Sequence, residues 1–149
     1  QVESPQAMAL GSRTRTGLFR SIDGGGSWSQ LVSGTSVNGC TQVSMQLTGA
    51  SGFVFGSCGN FAQGTVYRAD DSDASTFTSV LSNAGMGRSS IAVAPSNPAV
   101  VYVMSASTTS GGPGTDGLHA VYRSTSNGDL GSFTTQVDAK AAATTAQQR

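Results

Sequence analysis

Three short segments of this chain are near-copies of one another: Gly17-Leu18-Phe19-Arg20-Ser21, Gly64-Thr65-Val66-Tyr67-Arg68-Ala69 and His119-Ala120-Val121-Tyr122-Arg123-Ser124. Each alternates as a strand does and ends in aromatic-Arg-small. Their arginines lie 48 and then 55 residues apart. A polar turn follows each copy, and then a single aromatic: Trp28, Phe77 and Phe133. Two further strand-like runs precede the second copy, Thr41–Leu47 and Phe53–Ser57. Two precede the third, Ser90–Ala94 and Val100–Ser107, joined by Pro95-Ser96-Asn97-Pro98.

The unit is therefore strand, tight turn, strand, loop, strand, polar turn, strand. Four strands recurring at this spacing predict an all-β chain of about three four-stranded β-propeller blades. The expected organisation is a partial blade over 1–38, a blade over 39–83, a blade over 84–138, and a linker or cleaved tail over 139–149. The partial blade would use Ala7–Ser12, Gly17–Ser21 and Trp28–Val32. Propellers close with four to eight blades. About three predict an incomplete part of a larger ring, completed by a longer polypeptide, by the remainder of a cut precursor, or by further copies. Gln1 and Arg149 read as ends produced by cutting. A sheet-rich sandwich with chance glycine turns, or a single such hairpin in another fold, are the competing readings.

Composition narrows the function classes. Eight basic and eight acidic residues cancel, and charged residues make up 11% of the chain. Such a chain has no electrostatic footprint for nucleic acid or an anionic membrane surface. No apolar run reaches the ~18 residues that span a bilayer. Cys40 and Cys58 flank two strand-like runs and a turn at Thr48–Gly52, so a hairpin folded about Gly49 sets them opposite each other. A disulfide is expected, with two free thiols as the alternative. A stable disulfide points outside the cytoplasm: secreted, periplasmic or cell-surface. Two Cys and one His make no conventional zinc site. Gly24-Gly25-Gly26 precedes a strand and not a helix, so no phosphate loop, metal or cofactor is expected.

The first polar turn is the most specific segment. Ser21-Ile22-Asp23-Gly24-Gly25-Gly26-Ser27-Trp28 fills every position of Ser/Thr-x-Asp-x-Gly-x-Ser/Thr-Trp/Phe and resembles the Asp-box, or BNR repeat. Asp23 is expected to accept bonds from amides two or three residues on. The glycines supply positive φ, and Trp28 is expected to bury its ring against the sheet. Ala69–Phe77 and Ser124–Phe133 are degenerate versions, the first with one extra residue and no glycine, the second longer with Ser126 at the Asp position. Ala92–Tyr102 is similar to the V-x-P-x-N-P-x-x-V-Y hairpin of the same group. The resemblance covers roughly residues 8–137 and is to the sialidase, xyloglucanase and sortilin-type superfamily of Asp-box propellers.

That resemblance implies that Ser21, Asp23, Gly25 and Trp28 are structural, because Asp-boxes sit away from the ligand face. It implies a ligand face made by Arg13–Thr16, Ser33–Gly39, Gly59–Gly64, Ser82–Arg88 and the long Thr108–Gly117 loop. Those segments hold Arg13, Arg15, Asn60, Asn83, Arg88 and Asp116. The expected partners are the remainder of the propeller and a glycan or protein ligand. A binding or assembly module is the first functional reading. The alternative is part of a secreted glycoside hydrolase, which needs two flanking carboxylates; only Asp116 falls on the ligand face, so the second acid would lie outside this chain. A sialidase is unsupported, since Glu3 is the only Glu and no Arg-Ile-Pro segment occurs. His119 begins a strand and is expected to be a backbone-bonded strand-edge residue, with a general base as the alternative.

Overall fold

The computed structural model describes residues 16–34, 39–48, 51–72, 76–109 and 117–139. These form ten antiparallel strands and no helix: β1 (Gly17–Arg20), β2 (Ser29–Ser33), β3 (Cys40–Thr48), β4 (Ser51–Cys58), β5 (Thr65–Asp70), β6 (Thr78–Leu81), β7 (Met86–Val93), β8 (Val101–Ser107), β9 (Leu118–Ser124) and β10 (Thr134–Asp138). They divide into a hairpin, β1–β2, and two four-stranded sheets in sequence order, β3-β4-β5-β6 and β7-β8-β9-β10. β7 begins at Met86, ahead of the Ser90 start expected, because Met86 and Gly87 are already buried. The expected first strand, Ala7–Ser12, lies outside the described residues.

The repeat is visible in the pairing itself. Arg20 faces Ser29, Arg68 faces Thr78 and Arg123 faces Thr134. One step back, Phe19, Tyr67 and Tyr122 face Gln30, Ser79 and Thr135. The next pairs are Leu18 with Val32, Val66 with Leu81 and Val121 with Val137, so each outer strand carries one extra residue at the same place. An extra residue bends a strand and increases its twist. Three hairpins thus share one irregularity at the same place in their register.

The middle sheet is covered on both faces. On one side it meets the hairpin through Leu18, Val32 and Cys58, with Tyr67 and Phe77 packed against them. At Gly56 the hairpin lies directly on the sheet, since a Cβ there would run into the Leu18 side chain. On the other side Phe55, Val66 and Val80 share a core with Met86, Ile91, Val101, Val103, Ala120 and Tyr122 of the last sheet. Strand alternation makes this two-sided burial possible: Phe55 and Ser57 point one way, Gly56 and Cys58 the other.

Polar side chains tie the middle sheet to the last one by reaching its backbone. The Gln42 amide donates to Ile91 O at 2.9 Å and accepts from Ile91 N at 2.8 Å, pairing as a strand neighbour would. Ser57 Oγ donates to Ser89 O at 2.9 Å. Buried Gln46 donates through Nε2 to Pro98 O and to Asn127 Oδ1. Such bonds satisfy backbone groups that burial between sheets would otherwise leave unpaired.

Cys40 and Cys58 are joined by a disulfide and stand opposite each other in the β3–β4 register. The hairpin is centred half a residue beyond Gly49, since Thr48 faces Ser51. That register would set Cys40 one place off, and a shift between Cys40 and Gln42 restores the pair.

Candidate functional site

The turn from Ser21 to Trp28 is held from two directions. Ser21 Oγ accepts from Gly25 N at 2.7 Å and from Asp23 N at 3.4 Å. Asp23 accepts from the Ser21 hydroxyl at 2.8 Å, from Ser27 N at 2.8 Å and from the Ser27 hydroxyl at 2.7 Å. The amide taken by Asp23 is thus four residues on and not two or three as expected, because Gly24 (φ 70°) and Gly25 (φ 99°) turn the chain back over the carboxylate. The Ser27 hydroxyl, the Ser27 amide and the Ser21 hydroxyl, in that order of effect, hold the Asp23 carboxyl well below the usual carboxylate range.

The turn after β9 has the same framework with Ser126 at the place of the Asp23 carboxylate. Ser124 Oγ accepts from Ser126 N and Gly128 N, each at 3.1 Å, the same two positions that Ser21 serves. Asn127 (φ 54°) and Gly128 (φ 65°) occupy the left-handed places of Gly24 and Gly25. Ser124 Oγ contacts Ser132 Oγ directly at 2.7 Å, replacing the bridge that Asp23 makes between Ser21 and Ser27. The turn after β5 has Ala69 where Ser21 and Ser124 stand. There Asp70 caps Ser72, accepting from its amide at 2.9 Å and its hydroxyl at 2.6 Å, and those bonds lower the Asp70 pKa.

The turn after β9 docks on the middle sheet. Arg68 donates to Asn127 O at 2.8 Å, bonds Asp129, and lies 3.9 Å from the centre of the Phe53 ring. A Cβ on Gly128 would press into the Phe55 ring. Phe133 packs into the core shared by the two sheets, and Phe77 packs the same way between the middle sheet and the hairpin. The aromatic after each of these two turns is therefore a plug against the preceding sheet. This corrects the expectation for Trp28, which is 64% exposed. No sheet precedes the hairpin among the described residues, so its plug has nothing to enter.

The opposite end of the sheets carries the loops expected to bind ligand. Arg13, Arg15, Asp116 and most of the 108–117 loop lie outside the described residues. Asn60 is half-buried in the β4–β5 loop, next to Phe61, which is 83% exposed. The disulfide ties Cys58, the last residue of β4 before that loop, to the start of β3. Phe61 was not singled out by sequence reasoning, because one aromatic in a loop carries no periodic signal. Asn83 donates through Nδ2 to the Tyr122 hydroxyl at 3.1 Å, and its backbone carbonyl accepts from Met86 N at 3.1 Å. Arg88 is not in a loop as expected; it stands on β7, exposed on the outer face of the last sheet, because that strand starts at Met86. It lines a depression of about 300 Å3 with Ser90, Met104, Ala106 and Leu118. His119 is buried on β9 beside Tyr122, with ring centres 6.4 Å apart.

Of the described carboxylates, Asp23, Asp70, Asp71 and Asp129 lie at the turn end of the sheets, and only Asp138 ends a strand at the loop end. Among the described residues no group of His, Cys, Asp or Glu is arranged to hold a metal ion, and no helix is long and apolar enough to cross a membrane. Neither a protein-family model, nor a curated protein, nor a solved structure matches this chain.

Proposed function

We propose that the chain is about three blades of an extracytoplasmic Asp-box β-propeller and works as a protein- or glycan-binding or assembly module. The observation that carries this reading is the shared pairing irregularity behind Arg20, Arg68 and Arg123, repeated in units that stack face to face in chain order. A two-layer sandwich has no reason to repeat it. The disulfide supports a secreted, periplasmic or cell-surface location, where oxidising conditions maintain such bonds.

Binding is assigned to the loop end. At the turn end, Arg68 and the Asn127–Asp129 segment join the last sheet to the middle one. The loop end presents Phe61 and Asn60 on a base fixed by the disulfide. An exposed ring beside an amide is a common way to hold a sugar face or an apolar side chain, because the ring supplies area and the amide supplies direction. The glycoside hydrolase alternative has less support, since it needs two carboxylates across a cleft and Asp138 is the one carboxylate at that end among the described residues.

The test is a glycan and protein array probed with the chain and with Phe61→Ala. A bound class that is lost in the variant, at unchanged melting temperature, supports the reading. Binding that survives the substitution, or no binding to either array, overturns the assignment of the loop end.

A further inference from the structure

We infer that the two uncovered faces at the ends of the stack are the two halves of one joint, and that they close head to tail on a second copy of this chain. This rests on the tandem-sheet premise of the proposed function and goes beyond it by naming the partner and the contacts.

Both interior joints are built from the same parts. The preceding unit offers Leu18 and Val32, or Phe55, Val66 and Val80. The following unit inserts two aromatics, Tyr67 with Phe77, or Tyr122 with Phe133. By register, the hairpin's own inserting pair is Phe19 with Trp28, and they are 38% and 64% exposed.

At the other end the last sheet repeats the receiving face. The row Ser44, Phe55, Arg68, Thr78 across the middle sheet corresponds to Ala92, Tyr102, Arg123, Thr134 across the last one. The next row, Gln42, Ser57, Val66, Leu81, corresponds to Ser90, Met104, Val121, Val137. Tyr102, Met104 and Val137 are 39%, 55% and 40% exposed, where the middle sheet buries Phe55 and Val66 completely. An apolar face of this kind on a folded unit marks an interaction surface.

The polar parts correspond too. Arg123 lies over Tyr102, 6.0 Å from the ring centre, and its guanidinium has no hydrogen-bond partner among the described residues. In the filled joint, Arg68 takes the carbonyl of Asn127. The equivalent residue in the exposed turn is Gly24, whose carbonyl Arg123 would take. Gly25, with open space above it, would lie on Tyr102 as Gly128 lies on Phe55. A second copy is the occupant because one chain carries both halves in register: the plug and turn at residues 19–28, and the receiving face of β8–β10. The contact is heterologous, so copies extend it into a closed ring or an open row.

The experiment is sedimentation velocity on the full chain over a concentration series. The wild type is expected to form species larger than a dimer. Trp28→Ala removes only the plug and Arg123→Glu only the receiving face, and each alone is expected to weaken self-association at least tenfold. Trp28 is exposed and Arg123 half-buried, and unchanged far-ultraviolet circular dichroism with an intact disulfide confirms folding. Mixed together, the two variants keep one working joint and are expected to stop at a one-to-one dimer. A wild type that stays monomeric at every concentration overturns the inference, and so does association that neither substitution changes or a mixture that grows beyond dimers. These outcomes leave the propeller reading standing, since that reading falls only if imaging of the intact protein shows sheets that do not radiate from an axis.

Discussion

Ser21 and Ser124 hold their turns by the same two bonds. Each hydroxyl oxygen accepts from the amides two and four residues further on, although only the first turn carries the carboxylate that defines the motif. The serine is the common anchor and Asp23 is an added brace. The two serines differ in what surrounds them: Ser124 is buried beneath the docked turn, whereas the bonds of Ser21 are exposed.

Burial sets the size of the first expected effect. Ser124→Ala strands the Gly128 amide in the joint between sheets, at a cost of about 1–3 kcal/mol. Ser21→Ala leaves its amides free to bond water and is expected to cost under about 1 kcal/mol. Chemical denaturation of the two variants checks the order, and an equal loss would contradict it.

The brace has a pH signature. The pKa of Asp23 is lowered in the folded turn by Ser27 and Ser21. Its contribution to stability is therefore complete above the ordinary aspartate value of about 3.9 and drains away as pH falls below it, toward the lowered folded value. Asp23→Asn is expected to remove that acid-side dependence. Carboxyl and amide shifts of Asp23 and Ser27 followed by NMR below pH 5 provide the check; an Asp23 midpoint at the ordinary value would refute the bonding seen in the turn.

Two aromatics give a contrast in packing. Phe55→Ala empties the centre of a joint and is expected to cost about 3–5 kcal/mol. Trp28→Ala, on an exposed ring, is expected to change the stability of the dilute monomer by no more than about 0.5 kcal/mol. Melting temperatures at low protein concentration separate the two.

The disulfide closes a hairpin whose cysteines are 18 residues apart. Non-reducing mass analysis is expected to show both thiols absent. Reduction is expected to cost about 3 kcal/mol through the freed unfolded chain, read as a lower denaturation midpoint in reductant.

Arg68 joins two units that are far apart in sequence. Arg68→Met is expected to cost about 1–3 kcal/mol, because the Asn127 carbonyl loses a charged donor. Asp129→Asn is expected to cost less than 1 kcal/mol, since the Asp129 side chain is 52% exposed. Equal losses would place the weight of the contact on the ion pair and not on the carbonyl.

Much of this protein was written in local patterns. The aromatic-Arg-small copies marked β1, β5 and β9, and spacing about the Thr48–Gly52 turn brought Cys40 to Cys58. Alternation and turn chemistry act over a few residues, so they can be read along the chain. The direction each face looks was decided by stacking. Trp28, Phe77 and Phe133 are equivalent in sequence, yet two are half-buried against a core and one is bare, because burial depends on whether a sheet lies in front. Arg88 reads as a loop residue until β7 starts at Met86 and carries it onto an outer face. Gln42 and Gln46 gave no sequence signal, because an amide that pairs with the backbone of another sheet acquires its role only when that sheet arrives.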